Sequence, residues 1–332
     1  MPELPDLEYV RPILEEELVG KQLRGIEVFE PVVLRNMIGG SLGEFSGLVF
    51  RVLRHGPFLT FALEKAAGSA PGVSKKAVAG GTGSRAGTRK PSDDLGGIPE
   101  PPGNSGGLTQ KADEGLAHGL AIIVHPMLAG RFRLNGKKQS STAIRFHFEG
   151  FHLDYLDDRK MGKVYVCKGS DASSIPGYGK QGIDLLSSDF NMDYFLNAAK
   201  KSKKQARVFI MDQSVISSIG NAYADEILFE ARIHPKTRMN QLGDDQRKEL
   251  FQAIKSVIAE GIRTIQEASP DLEMKYREHM KVRNRKGEPC PDCGTSIRRA
   301  NVLGYDSFFC PSCQPDGGKG FIDWSSLPGK QD

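Results

Sequence analysis

The sequence predicts an α+β protein with three successive parts: a strand-rich N-terminal part with helices, a helical middle part and a small C-terminal part that contains cysteines. Three observations lead to this prediction. Short apolar runs typical of strands dominate residues 1–170, apolar residues recur at helical spacing within 185–280, and four of the five cysteines lie between 290 and 313. A chain of 332 residues can bury the cores of two or three domains.

The N-terminal part opens with a helical pattern. Leu7, Val10 and Leu14 recur at the spacing of one helix face, and Pro12 is expected to kink or delay that helix. Strand-like runs follow in IEVFE, FLTFAL, LAIIVHPMLAGRFRL, AIRFHFEGFHLDYL and GKVYVC. These runs predict a sheet-rich domain over residues 1–170.

A segment of different composition interrupts these strands. Residues 66–119 contain thirteen glycines and five prolines but no Phe, Tyr or Trp in 54 positions. Such a composition cannot bury enough apolar surface to offset the entropy lost on ordering the chain. We expect a disordered insertion between two strands of one domain, which could serve to contact partners that the sequence does not identify.

The middle part, residues 185–280, is predicted to be helical. At its centre, SVISSIGNAYADEILFEARIHP has two helical patterns separated by the tight turn IGN and closed by HP. A helix pair of this kind can present backbone N–H groups and a polar side chain to a phosphate. The pattern is equally typical of a helical hairpin that binds nothing.

The cysteines predict a metal site. Cys290-Pro-Asp-Cys293 and Cys310-Pro-Ser-Cys313 are separated by sixteen residues, a spacing typical of a four-cysteine zinc ribbon, predicted over residues 282–316. Four thiolates fill a tetrahedral site, so we expect one structural Zn²⁺ rather than a catalytic one. The residues after this ribbon, 317–332, are predicted to be a tail.

The overall charge allows a polyanionic partner but does not require one. The chain has 45 Lys and Arg against 41 Asp and Glu, so a local basic patch would have to bind the polyanion. No run of 18 apolar residues and no secretory pattern is present. We therefore expect a soluble intracellular monomer without a membrane partner, located in the cytoplasm or nucleoid if the source is bacterial.

The first residues are compatible with covalent chemistry. Removal of the initiator methionine would expose the secondary amine of Pro2, and an α-amino group has a pKa of roughly 7.7 to 8.0, so part of it is neutral and nucleophilic at physiological pH. Glu3 next to it is a proton donor. An ordinary disordered terminus is the alternative for this dipeptide alone.

Three motifs together resemble one family. MPELPDLE, IGNAYADEILFEARIHP and CPDC…CPSCQ occur in the order and spacing of formamidopyrimidine-DNA glycosylase and endonuclease VIII. The resemblance implies a β-sandwich-like domain, a helix-two-turn-helix domain and a zinc ribbon, with damaged double-stranded DNA in the cleft between the halves. It also implies a bifunctional base-excision repair enzyme, both glycosylase and abasic-site lyase. In that family the catalytic pair would be Pro2, which attacks C1′ and forms a Schiff base, and Glu3, which protonates the opening sugar.

The resemblance also assigns DNA-binding residues. Leu128 in HPMLAG is expected to be one wedge that fills the gap left by a flipped base, and Arg159 and Met161 in DDRKMG are expected to be the others. Asn221 corresponds to an asparagine that contacts phosphate near the flipped nucleotide. Arg207 takes the position of a lysine and keeps its positive charge.

Several positions depart from the family pattern. Asp6 stands where a glutamate is usual, and Pro57 stands where a lysine is usual, so that Arg54 or His55 would have to substitute for the lost charge. Tyr305 stands in place of an arginine, and it can offer one neutral hydrogen bond where arginine would offer a charged bidentate contact.

These departures leave alternatives open. The segment IQEASPDLEMKYREHM has no glycine where the purine-specific branch has a glycine-containing loop, and Leu128 in place of methionine favours the endonuclease VIII side or a divergent branch. The lesion could therefore be an oxidised purine or an oxidised pyrimidine. A catalytically weak or inactive protein that binds damaged DNA is the alternative function. A zinc-ribbon adapter that binds proteins is a third.

Overall fold

The structure, a computed structural model, describes residues 2–42, 45–64 and 119–316. The predicted insertion, except for Gly119, and the predicted tail 317–332 lie outside the described residues. The helices are α1 (Leu4–Leu18), α2 (Met192–Lys201), α3 (Ala206–Ile210), α4 (Asn221–Glu230) and α5 (Asp244–Ala268), with 3₁₀ turns at Pro31–Val33, Gly169–Ser174, Tyr178–Lys180 and Met239–Gln241. The strands are β1 (Gln22–Val28), β2 (Leu34–Asn36), β3 (Gly47–His55), β4 (Phe58–Glu64), β5 (Leu120–His125), β6 (Arg131–Leu134), β7 (Thr142–Phe148), β8 (His152–Leu156), β9 (Lys163–Lys168), β10 (Arg298–Val302) and β11 (Tyr305–Phe309).

The first nine strands form one sheet that curls on itself. Their order is β2-β9-β5-β4-β3-β1-β7-β8-β6, and every neighbouring pair is antiparallel except β2 and β9. Phe61 on β4 lies 6.0 Å from both Phe132 on β6 and Phe146 on β7, measured between ring centroids. Strands that are distant in the order therefore share one core, which is the sandwich-like packing that the resemblance implied.

Glu3, the residue before helix α1, caps the start of the helix. The Glu3 N–H donates to Asp6 Oδ2 at 2.7 Å, which satisfies a donor that a helix start leaves unpaired. Pro12 was expected to kink or delay this helix; it lies inside the helix, so the delay is wrong, whereas the kink stays a prediction. Leu4 packs in the core of the helical part, whereas Leu7 packs in the core of the sheet. The first turn of α1 thus belongs to both halves of the protein.

The strands on either side of the interruption pair with each other. β4 and β5 are antiparallel neighbours, and Leu63 is opposite Leu120. The chain leaves the sheet and re-enters it at adjacent positions. Strand β3 is not among the runs named above, and its pairing with β4 has a register shift between Val49 and Arg51.

The helical part and the cysteine hairpin pack on each other through α4. Phe195, Phe209 and Phe251 from three helices form the centre of the helical core. The hairpin β10–β11 contacts α4 at Phe229, which lies in one buried cluster with Phe308 of β11. In the part of the chain that the structure describes, no helix combines the length and apolarity needed to span a membrane.

We predict that Asp154 is essential for the stability of the sheet. Its fully buried carboxylate on β8 accepts hydrogen bonds from Arg145 at 2.7 and 3.0 Å and lies 3.3 Å from Arg133. Asp154→Ala leaves both cations without this partner, so the free energy of unfolding should fall by about 3 kcal/mol in urea denaturation. Asp245→Ala removes an exposed carboxylate and should change it by less than about 0.5 kcal/mol. Equal stability of the two variants would contradict this role.

Candidate active site

The carboxylate of Glu3 lies at the N-terminus of α4. Its oxygens accept backbone N–H bonds from Gly220 at 3.0 Å, Ala222 at 2.9 Å and Tyr223 at 2.9 Å. These N–H groups have no partner within the helix, and the helix dipole adds positive potential at the same place. The side chain is therefore held in one position by groups more than two hundred residues away in sequence.

Gly220 makes this close approach possible. A Cβ at position 220 would lie 2.7 Å from the carboxyl carbon of Glu3, closer than two such atoms can approach. The glycine in the IGN turn is therefore required by contact with Glu3. The N–H of Leu4 also donates to the carbonyl of Ser218 at 3.0 Å, so the chain on both sides of Glu3 is held against the turn before α4.

The environment of Glu3 favours its protonated form. Burial raises the pKa of the Glu3 carboxyl, while Arg277 and the N–H groups of Ala222 and Tyr223 act in the opposite direction. A larger fraction of Glu3 is thus protonated near neutral pH than of an exposed glutamate. This property suits a residue that donates a proton.

Arg277 connects Asp6 to the segment after α5. Its guanidinium donates to Asp6 Oδ1 at 2.7 Å and to Asp6 Oδ2 at 2.6 Å, a bidentate ion pair. Asp6 also accepts the N–H of Glu3. The shorter carboxylate at position 6 therefore connects the start of α1 to a segment 271 residues further along the chain.

Pro2 is buried beside these groups. It lines a cavity with Asp6, Arg131, Met274 and Lys275, among other residues. The carboxylate of Glu3 directly follows it in sequence and is 3% exposed. The structure therefore places Pro2, the buried carboxylate of Asp6 and the cationic side chains of Arg131 and Lys275 around one cavity, with Glu3 next to Pro2 in the chain.

The three expected wedge residues lie on two loops at one end of the sheet. Leu128 is 39% exposed and Met161 is 40% exposed, and Arg159 is also exposed. Gly130 and Gly162, one in each loop, both lie against the hydroxyl of Tyr155. The structure thus brings the loops together, while the wedge role itself stays a prediction.

Arg207 does not fit a direct phosphate contact. It is 1% exposed and forms an ion pair with the buried Asp225, with Nε at 3.1 Å from Oδ1. The same guanidinium donates to Asn221 Oδ1 at 2.9 Å and to the carbonyl of Asp306 at 2.9 Å. Because Arg207 can only donate, it fixes the oxygen side of the Asn221 amide. Its buried position does not agree with the expected direct contact to phosphate, and its hydrogen bond to Asn221 orients that amide.

The substitutes expected for the missing lysine are also engaged elsewhere. The side chain of Arg54 is 6% exposed and pairs with Glu8 and with Asp184 at 2.8 Å, so it joins β3, α1 and the helical part. His55 Nε2 lies 2.8 Å from the carbonyl of Tyr178. Pro57 is buried in the turn between β3 and β4. The assignment of Arg54 to DNA binding therefore does not fit its buried position.

The four cysteines fit a tetrahedral zinc site. All four Sγ atoms lie within 4.8 Å of one another, with Cys290 to Cys313 at 3.8 Å and Cys293 to Cys310 at 3.5 Å. A tetrahedron with Zn–S bonds near 2.3 Å has sulfur atoms roughly 3.8 Å apart. This donor set and spacing support one structural Zn²⁺ in the hairpin.

The hairpin that this zinc site organises presents Tyr305 at the surface. Tyr305 is 53% exposed, next to Leu303, which is 70% exposed at the hairpin turn. Beneath it, Asp225 accepts from Arg283 at 2.6 Å and from Ser307 at 2.7 Å. The predicted DNA contact of Tyr305 is thus sterically open, and its neighbours in β11 are anchored to α4.

Sequence reasoning missed the residues that join distant segments. Arg277 stands in the sequence only as part of a charged segment without glycine, and no motif singles out Asp225. The carboxylate of Glu226 accepts three consecutive N–H groups, those of Lys281, Val282 and Arg283. Charge alone gives no signal for the contacts of Glu226, because its partners lie 55 or more positions further along the chain.

Two segments match known domain families. Residues 181–271 match the formamidopyrimidine-DNA glycosylase H2TH domain, and residues 287–315 match a zinc finger found in FPG and IleRS. The chain is 34% identical over 204 residues to the formamidopyrimidine-DNA glycosylase of Listeria innocua, covering 58% of this chain and 74% of that protein. It is 27% identical over 325 residues to that of Thermus thermophilus, covering 96% of this chain and 100% of that protein.

Solved structures show the same architecture. The crystal structure of the MutM (Fpg) protein from Thermus thermophilus is similar with a TM-score of 0.71 and 25% identity, over 96% of this chain and 100% of that one. The Lactococcus lactis Fpg, solved with DNA that contains an abasic site, is similar with a TM-score of 0.71 and 22% identity, over 95% of this chain and 100% of that one. The predicted fold class is thereby confirmed.

We predict that zinc removal selectively loosens the hairpin. Cys310→Ser removes one of the four zinc ligands, so the zinc content should fall from one ion per chain to a small fraction. The hairpin should then loosen, because its remaining core is a small apolar cluster around Phe229 and Phe308. Metal analysis and amide hydrogen exchange of residues 287–315 measure both effects. Cys167→Ala, which removes the cysteine in β9, should retain the zinc. Full zinc content in the Cys310 variant would refute the site.

Proposed function

Because the chain belongs to the formamidopyrimidine-DNA glycosylase family, we propose that this DNA glycosylase of base-excision repair removes damaged bases from double-stranded DNA through the amine of Pro2 and then cleaves the strand as an abasic-site lyase. The observation that carries this proposal is the position of Pro2 at the cavity beside Glu3, whose carboxylate is held by the N-terminus of α4.

In the first step, the Pro2 nitrogen attacks C1′ of the damaged nucleotide. The bond between C1′ and the base breaks, and the bonding electrons leave with the base. The attacking nitrogen loses its own proton, which the departing base takes up. Glu3 then donates its proton to O4′ as the C1′–O4′ bond opens, and the lone pair of the Pro2 nitrogen forms the C1′=N bond of an iminium ion. The raised pKa of the Glu3 carboxyl supports this role, because the acid must carry a proton before the step.

In the second step, the iminium ion lowers the barrier to elimination. A base removes a proton from C2′, and the electrons of that C–H bond form a C1′=C2′ double bond while the C1′=N electrons move onto the nitrogen. The nitrogen lone pair then re-forms C1′=N, the C1′=C2′ electrons form a C2′=C3′ double bond, and the 3′-phosphate leaves C3′ with its bonding electrons. Water hydrolyses the remaining imine and releases the Pro2 amine for another reaction cycle. A secondary amine suits both steps, since it forms an iminium ion that stays positively charged.

Two groups of residues would hold the substrate. The Oδ1 of Asn221 is fixed by Arg207, so its NH₂ group, a donor without a partner in the described part of the chain, can bind a phosphate. Leu128 and Met161 are exposed apolar side chains of suitable size to fill the gap in the base stack, and Arg159 can hydrogen-bond to the opposite base. Tyr305 contributes a neutral contact to the backbone.

We expect the amine of Pro2 to be the nucleophile. An N-terminal extension converts this amine into an amide that cannot attack C1′, so borohydride trapping on a duplex with an abasic site should be lost. The same extension placed at the C-terminus is the matched control and should trap as the unmodified protein does. Mass spectrometry verifies that Met1 is absent from the control.

The alternative function, binding of damaged DNA without catalysis, predicts a different result in this experiment. If the unmodified protein, with Met1 removed and with normal DNA affinity, gives no covalent band, the chain binds damaged DNA without this chemistry. Equal trapping by both extended proteins would instead assign the nucleophile to another amine. A panel of duplexes with oxidised purines or oxidised pyrimidines then determines the lesion class.

We further expect Glu3→Gln to separate the two activities. Glutamine cannot donate the proton that opens the sugar, so base release should fall by about 10² or more. Cleavage at a preformed abasic site should be largely kept, since its ring-opened aldehyde needs no such proton. In the unmodified protein, base release should decrease as the pH rises through the raised pKa of Glu3, because the acid form is lost. Equal loss of both activities would argue against this assignment.

A further inference from the structure

In the described part of the chain, Lys275 is the cation lining the Pro2 cavity that has no carboxylate partner. Among the described residues, its Nζ makes no salt bridge and donates instead to the backbone carbonyl of Leu128. Arg277, two residues later, is occupied by both oxygens of Asp6. Arg131, which also lines the cavity, pairs with Asp158. Of these three described cations, Lys275 is therefore the one whose positive charge no neighbouring carboxylate contacts.

The charges around the cavity favour a further anion. Arg131, Lys275 and Asp6 line the cavity, while Arg277 and Asp158 are the ion-pair partners of Asp6 and Arg131 outside its lining. With Glu3 protonated, as the proposed reaction requires, these five groups have three positive and two negative charges. Burial lowers the pKa of the Lys275 ammonium, and an anion near its Nζ would favour the charged form. The excess of positive charge lies beside the nucleophile.

The substrate supplies such an anion. Every deoxyribose in a DNA strand carries phosphates on its 3′ and 5′ oxygens, and lysine contacts to these phosphates position a duplex without reading its sequence. A sugar whose C1′ is bonded to Pro2 brings one of its phosphates to the rim of this cavity. The buried Pro57 and Arg54 offer no free charge there.

We propose that Lys275, which lies in the segment after α5, binds the backbone phosphate next to the nucleotide that Pro2 attacks. This inference rests on the proposed function, since Pro2 chemistry determines where the sugar lies. The bond from Nζ to the Leu128 carbonyl places the same ammonium at the loop that carries one expected wedge. Lys275 thus couples the contact to the phosphate with the position of that loop.

The test is the salt dependence of binding to a duplex that contains a tetrahydrofuran abasic analogue, which Pro2 cannot attack to form an imine. Removing one lysine–phosphate contact lowers the slope of log affinity against log salt by about 0.9 and weakens binding about five-fold near physiological salt. Lys275→Met should show both effects. Lys275→Arg keeps a cation and should restore both values toward those of the unmodified protein.

Lys281→Met is the matched control from the same segment. Its ammonium already pairs with Glu230 at 3.2 Å, and it does not line the Pro2 cavity, so its slope should stay unchanged. A Lys275→Met protein with normal thermal unfolding, normal zinc content and an unchanged slope would overturn the proposal. An unchanged slope together with weaker binding would mean that Lys275 only positions the loop, and it would also overturn the phosphate contact.

Failure of the catalytic proposal gives a distinct result. If the unmodified protein does not trap abasic DNA but Lys275→Met still reduces the salt slope, the phosphate contact is supported and the Pro2 chemistry is not. If trapping succeeds and the slope is unchanged, the Pro2 chemistry is supported and the Lys275 contact is rejected. The two measurements therefore separate the two claims.

Discussion

The position of the Glu3 carboxylate on the N-terminus of α4 is the interaction on which the rest of the site depends. It connects the first residues of the chain to the helical half, and it requires a glycine at position 220. The same contact holds Leu4 in the core of the helical part while Leu7 lies in the core of the sheet. The geometry of Pro2 is thus determined by both halves together and not by a terminus that is free to move.

Buried carboxylates have the same organising role elsewhere in the molecule. Asp225 gathers Arg207, Arg283 and Ser307 beneath the cysteine hairpin, and Asp184 with Glu8 holds Arg54 between the two halves. Each cation loses its freedom to contact a ligand directly, because it is satisfied within the protein. The positive charges that remain accessible beside Pro2 are correspondingly few.

The sequence predicted what local pattern or a linear motif encodes. Short stretches of sequence are enough to recognise the strand runs, the helical periodicity, the cysteine spacing and the Pro2–Glu3 pair. The fold class followed from the first three. The buried positions of Arg54 and Arg207 could not be predicted, because a charged residue looks the same in sequence whether it pairs internally or faces solvent. Arg277 and Asp225 were missed because their partners lie far along the chain, and only the fold brings them together.

The pairing of β4 with β5 has a consequence for engineering and for the divergence of such chains. Leu63 and Leu120 are opposite each other, so the two ends of the connection lie at adjacent positions of the described ladder. The entropic cost of a connection grows slowly, by about 0.6 kcal/mol for each doubling of its length. This position in the sheet can therefore accept connections of very different length, including a fused tether or reporter domain, while the catalytic half keeps its shape.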